Sequence, residues 1–320
     1  MSRKKKFNWW PVIVLSAVLI LVFYLKASKT YGDDRPEVSE PMTEQLSEPK
    51  PEPDQDPLVQ QPAVKQTPAV DADWMELPGA VAGGNYLINT YYEGAVRNYT
   101  HLYDTDTYTS MWVAYPLNSR YMGNQPRPNK WSYSSMIDSK YQVNLKNRSY
   151  NDKYSRGHLI PNASRNGFKD MQLQTFFVTN SVPQIQNRFN SGIWSSLESA
   201  LQSLASAEEI FIVTGVAFNK VGEDKAVSYT TARDDTKDVP VPNYFYKVVL
   251  KVNVEDSAVS SACSVGFWFE HKAYTDTFVN YAVSVDQIEE WTGFDFFVNL
   301  PDSIETLAES NSSWTVFQEF

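Results

Sequence analysis

The chain has 320 residues, of which 42% are hydrophobic, and a formal net charge of −10 at pH 7. This length suits one large or two ordinary domains, and this composition allows an apolar core. The single cysteine, Cys263, excludes an intrachain disulfide, so we expect the core to hold the fold and no disulfide-linked partner. Its apolar neighbours predict a buried, unreactive strand position. Taken over the whole chain, the acidic balance argues against a protein that binds nucleic acid.

The first 29 residues predict a membrane anchor. A basic stretch at residues 3–6 precedes an apolar run of 17 residues at positions 9–25, which is at the short end of the length that spans a bilayer as a helix. Positive charge in front of such a run keeps the N-terminus in the cytoplasm and directs the rest of the chain outward. We therefore expect a signal anchor, with the remaining chain outside the cytoplasm. A cleaved signal peptide, which would make the protein secreted, is the alternative.

Residues 30–78 differ in composition from the rest of the chain. They contain nine of the 18 prolines, interspersed with Glu and Asp and with few apolar residues. Such a segment cannot bury enough apolar surface to fold, so we expect a disordered, extended linker. The folded domain is then predicted to span residues 79–320.

Within that domain, the hydrophobic pattern predicts strands and a few helices. Runs of aromatic and β-branched residues predict strands at residues 110–115, 176–179, 210–215 and 244–252. Apolar residues at three-to-four spacing predict a helix over residues 191–207, and a shorter helix is predicted at residues 285–292. Because there is no strict strand–helix–strand repeat, this order favours an α+β fold over a doubly wound sheet.

The charge is unevenly distributed along the domain. Residues 140–190 contain eight basic and only two acidic residues, a local net charge of +6 (8 − 2). A basic patch of this kind attracts phosphate groups, while the acidic remainder keeps such binding weak and transient. An ordinary solvated surface is the alternative interpretation of the same residues.

The stretch YSRGHLIPNASRN, residues 154–166, contains His158, one of only three histidines. A lone histidine more often packs or lies at the surface than acts in catalysis, and that is what we expect of His101 and His271. His158 differs because a strand, a turn and a helix follow it within about forty residues and present Asn190 and then Glu198. Asparagine at a helix start is commonly an N-cap, so Asn190 could be a cap or part of a site.

These residues resemble those of a known family, the DNA/RNA non-specific endonucleases with a ββα-metal site. The matching residues are Arg156-Gly157-His158, Thr179-Asn180 with Pro183-Gln184, Asn190 with Gly192 and Trp194, and Leu197-Glu198. Segments outside the site, such as WVAYPL and VPNYFYKVV, are similar as well, and the likeness covers residues 95–305. The resemblance implies an α+β fold with a central antiparallel sheet, helices on both sides and a ββα-metal motif at the active site.

The resemblance implies that three residues carry the chemistry. His158 would be the general base that activates water, and an imidazole pKa of about 6.5 suits that role. Asn190 would be the only protein side chain bound directly to Mg²⁺, with Mn²⁺ able to replace it, and Glu198 would hold one of the waters that Mg²⁺ retains. On a continuous helix Asn190 and Glu198 would lie ~12 Å apart, which disfavours a direct bond from both.

The resemblance also implies supporting roles and shows two departures. Arg156 and, on a looser match, Arg127 would contact the substrate phosphate, and Asn180 would support the catalytic residues. Ser155 stands where many family members have Asp. Gln202 stands where the family often has an arginine, four residues beyond the helix glutamate, so one cation that would stabilise the transition state is either missing or supplied from elsewhere.

The sequence thus predicts an exported, membrane-tethered, Mg²⁺-dependent endonuclease that hydrolyses phosphodiester bonds of DNA and RNA with little sequence preference. Gln202 and the acidic charge suggest one alternative, a tethered nucleic-acid-binding module that has lost catalysis. A phosphodiesterase acting on a smaller substrate is the other alternative. No oligomeric state is indicated.

Overall fold

The computed structural model describes residues 74–81, 84–151 and 154–320. The predicted membrane segment and residues 30–73 of the predicted linker lie outside these ranges. Within the ranges, no helix combines the length and the apolarity needed to cross a membrane.

The packed chain begins before the predicted domain boundary at residue 79. Leu77 is buried in the core, and the fully buried Glu76 forms an ion pair with Arg97 at 2.7 Å. Residues 74–78, which the composition assigned to the linker, are therefore part of the folded domain.

The centre of the fold is an antiparallel sheet. The described residues contain eleven strands: β1 (Tyr86–Glu93), β2 (Val96–Asp104), β3 (Thr109–Leu117), β4 (Tyr154–His158), β5 (Ser181–Ile185), β6 (Ile210–Ala217), β7 (Tyr229–Thr230), β8 (Val239–Pro240), β9 (Tyr244–Glu255), β10 (Ala258–Glu270) and β11 (Ala282–Val283). Seven of them form one sheet in the order β1-β2-β3-β6-β9-β10-β11. The pairs β4–β5 and β7–β8 form two small antiparallel ribbons.

Five α-helices lie in the described ranges: α1 (Lys169–Gln174), α2 (Ser195–Ala205), α3 (Val285–Thr292), α4 (Asp302–Glu309) and α5 (Trp314–Glu319). Helix α3 has the predicted bounds because its ends are marked locally. The Ser284 side chain accepts a hydrogen bond from the Gln287 N–H at its start, and Gly293 adopts the left-handed conformation at its end, with φ of 73°.

Both faces of the sheet are buried. Along β9, Phe245 and Val249 pack on the face covered by α2 and α5, whereas Tyr246 and Val248 pack on the face covered by α3 and α4. This alternation follows from the two-residue period of a strand. The predicted α+β fold with helices on both sides of an antiparallel sheet is confirmed.

The strand predicted at residues 176–179 is absent. The backbone instead turns through a short 3₁₀ helix, Val178–Asn180, and β5 starts only at Ser181. The N–H groups of Phe176 and Phe177 donate to carbonyls three residues back. The apolar pattern that suggested a strand thus reflects a buried turn.

The helix predicted over residues 191–207 is shorter, since α2 begins at Ser195. The preceding segment, Gln186–Trp194, winds irregularly, because Arg188 has φ of 63° and Gly192 has φ of −141° and ψ of −114°. These angles interrupt the helical hydrogen bonds, although the apolar spacing continues through the segment.

Candidate nuclease site

The ribbon of β4 and β5 brings His158 to the edge of a cavity. His158 is the last residue of β4 and pairs with Ser181, the first residue of β5. Gly157 lies against the side chain of Gln184, where any Cβ would collide. The Arg-Gly-His motif therefore needs glycine at its centre for the two strands to pair.

The cavity has a volume of about 650 Å³. Five of the six predicted site residues line it, and Gln202 lines it as well. These residues are Arg127, Arg156, His158, Asn190, Glu198 and Gln202.

The sixth predicted residue, Asn180, lies behind His158 and does not line the cavity. Its buried side chain bonds only to backbone: Nδ2 donates to the carbonyls of Ile160 and Thr175 at 3.0 and 2.8 Å, and Oδ1 accepts from the Ile160 N–H at 3.0 Å. The Asn180 carbonyl accepts from the Leu159 N–H at 3.1 Å. Asn180 therefore fixes the chain that directly follows His158.

The imidazole of His158 packs between two aromatic rings, with the centroids of Trp131 and Phe176 at 4.8 and 5.1 Å. Its Nε2 is buried and has no hydrogen-bond partner among the described residues. Burial, and then the charges of Arg127 and Arg156, lower the pKa of His158 to about 3. The ring is therefore neutral at physiological pH, and the ordinary pKa expected from the sequence is corrected downward.

Two arginines stack on the same rings. The Arg156 Cζ lies 4.7 Å from the centroid of Trp131, and the Arg127 Cζ lies 5.0 Å from that of Phe176. Arg156 also donates to the Leu145 carbonyl at 2.8 Å. Among the described residues neither arginine has an ion pair with a carboxylate. Both guanidinium groups can therefore bind phosphate, for which their planar donor geometry is suited.

Asn190 reaches the cavity from the irregular segment Gln186–Trp194. Its Nδ2 donates to Ser155 Oγ at 3.1 Å and to Gln186 Oε1 at 3.3 Å, while no described residue donates to its Oδ1. The N-cap position of α2 is Trp194, which makes no side-chain capping bond. The interpretation of Asn190 as a helix cap is therefore wrong.

Ser155, at the position where many family members have Asp, contacts Asn190 directly. Its Oγ accepts the bond from Asn190 and donates to the Gln184 carbonyl at 3.0 Å. One hydroxyl can do both, because it carries one donor and two acceptor sites. Serine thus orients the Asn190 carboxamide without adding negative charge.

Glu198 lies in the first turn of α2, where the helix dipole favours a carboxylate. Its side chain is 16% exposed, and its Oε1 lies 4.0 Å from the Nζ of Lys247. Burial raises the pKa of Glu198 to about 7, although the charges of Lys247 and Arg127 oppose the rise. Because Asn190 precedes α2, the ~12 Å separation expected along a continuous helix does not apply, and both residues line one cavity.

Lys247 is a residue of the site that sequence reasoning missed. Its side chain on β9 is completely buried, its Nζ donates to Thr214 Oγ1 at 2.7 Å, and the Nζ lies 4.4 Å from the ring centroid of Trp194. Burial lowers the pKa of Lys247, and the charge of Glu198 opposes that change. The run YFYKVVLKV contained the indication, because a lysine within an otherwise apolar strand is rarely buried without a partner.

The basic stretch at residues 140–190 is less continuous than its composition suggested. Arg165 is fully buried in the core, and Arg148 is paired with a neighbouring aspartate at 2.7 Å. The positive charge at the cavity comes instead from Arg156 and from Arg127, which lies outside that stretch.

Gln202 lies one helical turn beyond Glu198, and its Nε2 donates to Ser164 Oγ at 3.2 Å. Among the described residues that line the cavity, Arg127 and Arg156 are the only arginines, and no lysine is present. Of the described residues that line the cavity, only Arg127 and Arg156 could therefore supply the charge of the missing family arginine.

The other two histidines have structural roles, as expected. His101 is buried, its Nδ1 lies 3.0 Å from Ser110 Oγ, and burial lowers its pKa to about 3. The His271 Nε2 accepts a hydrogen bond from the Ile185 N–H at 2.8 Å, and its Nδ1 lies 2.9 Å from the Pro242 carbonyl. His271 thus fastens the end of β5 to the main sheet. Cys263 is free and buried, as expected.

Comparison with known proteins connects this site to an enzyme family. The sequence profile of the DNA/RNA non-specific endonucleases matches residues 86–303. A nuclease of Nostoc sp. is 27% identical over 242 residues, which are 73% of this chain and 81% of the relative. Nuclease 1, mitochondrial, of Schizosaccharomyces pombe is 28% identical over 155 residues, which are 46% of this chain and 47% of that protein.

The fold matches that of a solved nuclease structure. A chain in the crystal structure of the EndoG/EndoGI complex superposes with a TM-score of 0.56 and 20% sequence identity, covering 69% of this chain and 91% of that chain. At this identity the match shows the fold alone. The family profile, by contrast, spans more than half of the sequence and includes all the predicted site residues. The chain belongs to the DNA/RNA non-specific endonuclease family, whose members hydrolyse the phosphodiester bonds of nucleic acids.

Proposed function

We propose that this endonuclease is metal-dependent, with His158 as the general base, Asn190 as the direct protein ligand of Mg²⁺ or Mn²⁺, and Arg156 and Arg127 as the groups that bind phosphate. The proposal rests mainly on the hydrogen bonding of the Asn190 side chain. Its carboxamide nitrogen is held by two hydrogen bonds, and its oxygen is open beside the cavity. The same cavity is lined by His158 and Glu198.

The residues present fit a hard divalent cation. The open Oδ1 of Asn190 and the Glu198 carboxylate are oxygen donors, which Mg²⁺ prefers, and one or two such protein ligands suffice because Mg²⁺ keeps most of its waters. When bound, the cation would neutralise charge on the phosphate and on the leaving 3′-oxygen.

The side chains of this chain divide the remaining work. Arg156 and Arg127 would hold the phosphate next to His158, and the phosphate charge would offset the two guanidinium charges that lower the His158 pKa. The proton affinity of the imidazole would then rise when substrate is bound, so that His158 can take the proton of the attacking water. Asn180 would keep the ring in place through the backbone that follows it.

Lys247 would act as a positioning residue for Glu198. Its buried ammonium group opposes the rise in Glu198 pKa that burial causes, so that this pKa is about 7 and not higher, and part of Glu198 stays ionised at neutral pH. An ionised Glu198 would orient water near the phosphate, which a protonated carboxyl group would do less well.

We also propose that the enzyme is tethered outside the cytoplasm. The apolar run at residues 9–25, the basic residues in front of it and the proline-rich acidic segment behind it support this arrangement. Membrane fractionation of cells, followed by protease treatment of intact cells, tests it. An anchored, external enzyme sediments with membranes and is digested from outside, whereas a secreted form is found in the medium.

A plasmid-nicking assay of the full-length chain tests the chemistry. We expect nicking and RNA degradation that stop in EDTA and return with Mg²⁺ or Mn²⁺. Rapid hydrolysis of a dinucleotide with little action on polymers would instead indicate a phosphodiesterase for small substrates. DNA binding without cleavage at any metal concentration would indicate a binding module.

A further inference from the structure

A second group of acidic side chains lies on the face of the sheet opposite to the nuclease site. Asp286 and Glu289 belong to α3, and Glu309 is the last residue of α4. These helices cover one face of the sheet, and α2 covers the other. The three residues each offer a carboxylate oxygen, and these oxygens all lie within 4.8 Å of one another.

Glu309 is the unusual member of this cluster. Its exposure is only 5%, and its Oε1 has no hydrogen-bond partner among the described residues. It also ends a helix, where the helix dipole disfavours negative charge. A buried carboxylate in such a position needs a cation or a proton nearby.

The surroundings supply further negative charge rather than positive charge. Among the described residues, no lysine or arginine forms an ion pair with any of the three carboxylates. Burial, and then the charges of Glu289 and Glu305, raise the pKa of Glu309 to about 9. Without a bound cation, Glu309 therefore keeps its proton at neutral pH, and a cation that binds the cluster would have to displace that proton.

The donor atoms indicate which kind of cation would fit. All are carboxylate oxygens, and two oxygens bound to one Ca²⁺ can be up to ~5 Å apart, which agrees with the 4.8 Å limit in this cluster. Glu289 is oriented by a hydrogen bond from the Phe296 N–H to its Oε1 at 2.7 Å. Ca²⁺ accepts such irregular oxygen sets more readily than Mg²⁺, which requires near-octahedral geometry.

We propose that Asp286, Glu289 and Glu309 bind a divalent cation of the Ca²⁺ type, which fastens α3 to α4. Helix α4 is attached to the sheet beside this point, where Ser264 Oγ on β10 donates to the Ala308 carbonyl at 2.9 Å. The cation would therefore stabilise the packing of both helices on the sheet. It takes no part in the cleavage reaction.

Thermal unfolding of the full-length chain in EDTA and in CaCl₂ tests this site. Ca²⁺ at 100 times its Kd should raise the melting temperature of wild type by about 5–10 °C. Glu309→Gln should lose most of that rise, yet be no less stable than wild type in EDTA, because it replaces a buried carboxyl with a neutral isostere. Mg²⁺ should replace Ca²⁺ poorly in this experiment.

Two further variants separate this site from others. Glu290→Gln is the matched control, because Glu290 is exposed on the same helix, outside the cluster, and bonded to Gln287. It should keep the full response to Ca²⁺. Asn190→Ala removes the ligand proposed for the nuclease cation and should still bind one equivalent of Ca²⁺ in calorimetry. The absence of a Ca²⁺ site at the acidic cluster can therefore be distinguished from an error in the proposed function.

An equal response to Ca²⁺ in wild type and Glu309→Gln would overturn the proposal, and so would no response in either. In the second case Glu309 is a buried protonated carboxyl group only. If Glu309→Gln does not fold, Glu289→Gln provides the same comparison, and calorimetry of Asn190→Ala still decides whether the second site exists.

Discussion

The two faces of the central sheet bury charge in opposite ways. Under α2, the ammonium group of Lys247 lies 4.0 Å from Glu198, and two arginines line the adjoining cavity. Under α3 and α4, the acidic cluster around Glu309 has no basic partner among the described residues. The first arrangement suits an anionic substrate together with a cation, while the second suits a cation alone. The sheet and the apolar layers on its two faces lie between these two groups of charged residues. Neither group therefore determines the ionisation of the other.

The contrast between the two faces would fail most clearly if the loss of a nuclease-site residue had no effect on cleavage. His158→Ala should lower turnover by about 10²–10⁴-fold if the imidazole is the base, with little loss of DNA binding. The measurement is the initial rate of plasmid nicking together with the Kd for DNA. Glu309→Gln is the control on the other face, and it should nick at the wild-type rate. A His158→Ala enzyme that keeps more than a tenth of wild-type turnover would assign His158 a structural role.

Asn190 is expected to have the next largest effect. Asn190→Ala should reduce nicking by at least about 10²-fold, as for loss of one preorganised group that stabilises charge. The melting temperature in EDTA should fall by only a few degrees, since Asn190 caps no helix and its side chain makes two hydrogen bonds outside the core. Asn190→Asp should alter the Mg²⁺ dependence, because a carboxylate changes the charge and hydration of the bound ion.

Mg²⁺ titrations of nicking, with melting curves for both variants, check this prediction. Titrations that overlay wild type for both Ala and Asp would show that Asn190 does not bind the cation. If, in addition, the melting temperature falls for Ala but not for Asp, Asn190 has only a structural, hydrogen-bonding role.

Lys247→Met tests whether the buried charge of Lys247 controls the ionisation of Glu198. Without Lys247 the pKa of Glu198 should rise further, because Lys247 is the largest influence that lowers it. A raised pKa means that the carboxylate form is lost at higher pH. We therefore expect apparent Mg²⁺ affinity to fall by about 10–100-fold at neutral pH and to recover partly as the pH is raised.

Lys251→Met is the matched control for that variant. Lys251 lies on the same strand and face, is 4% exposed, and pairs with Glu208 at 2.9 Å outside the cavity. Its replacement should leave the pH and Mg²⁺ profiles of nicking unchanged. If both variants shift the profiles equally, Lys247 contributes only to stability. In the absence of substrate His158 has a pKa of about 3, so a change in Mg²⁺ affinity of the free enzyme near neutral pH would not come from His158.

The smallest effect is expected where this chain departs from its family. Gln202→Arg adds a cation to the cavity wall, so the KM for DNA should fall a few fold and the salt dependence of binding should steepen by about one unit in log–log slope. Ser203→Arg adds the same charge at an exposed neighbouring position outside the cavity. Equal changes in both variants would mean that general charge, and not this position, controls binding.

Local patterns predicted the parts of the fold that depend on nearby residues. The apolar runs of β3, β6 and β9 and the helix at residues 285–292 were found where expected. The strand predicted at residues 176–179 was wrong, because a buried turn and a buried strand share the same apolar composition. The start of α2 was misplaced, since hydrophobic spacing continues through backbone that is not helical.

The sequence by itself determined the family and the candidate nuclease residues, because the family resemblance rests on chemical types at fixed spacing along the chain. Only the tertiary structure decided how these side chains are buried, hydrogen-bonded and paired with other charges. The open oxygen of Asn190 depends on Ser155, 35 residues away, and the charge beside Glu198 depends on Lys247, which is held by Thr214, 33 residues away. The burial of Arg165 and the meeting of Asp286, Glu289 and Glu309 likewise arise from packing. Burial and charge pairing are sums over spatial neighbours, and distant segments become neighbours only when the chain folds.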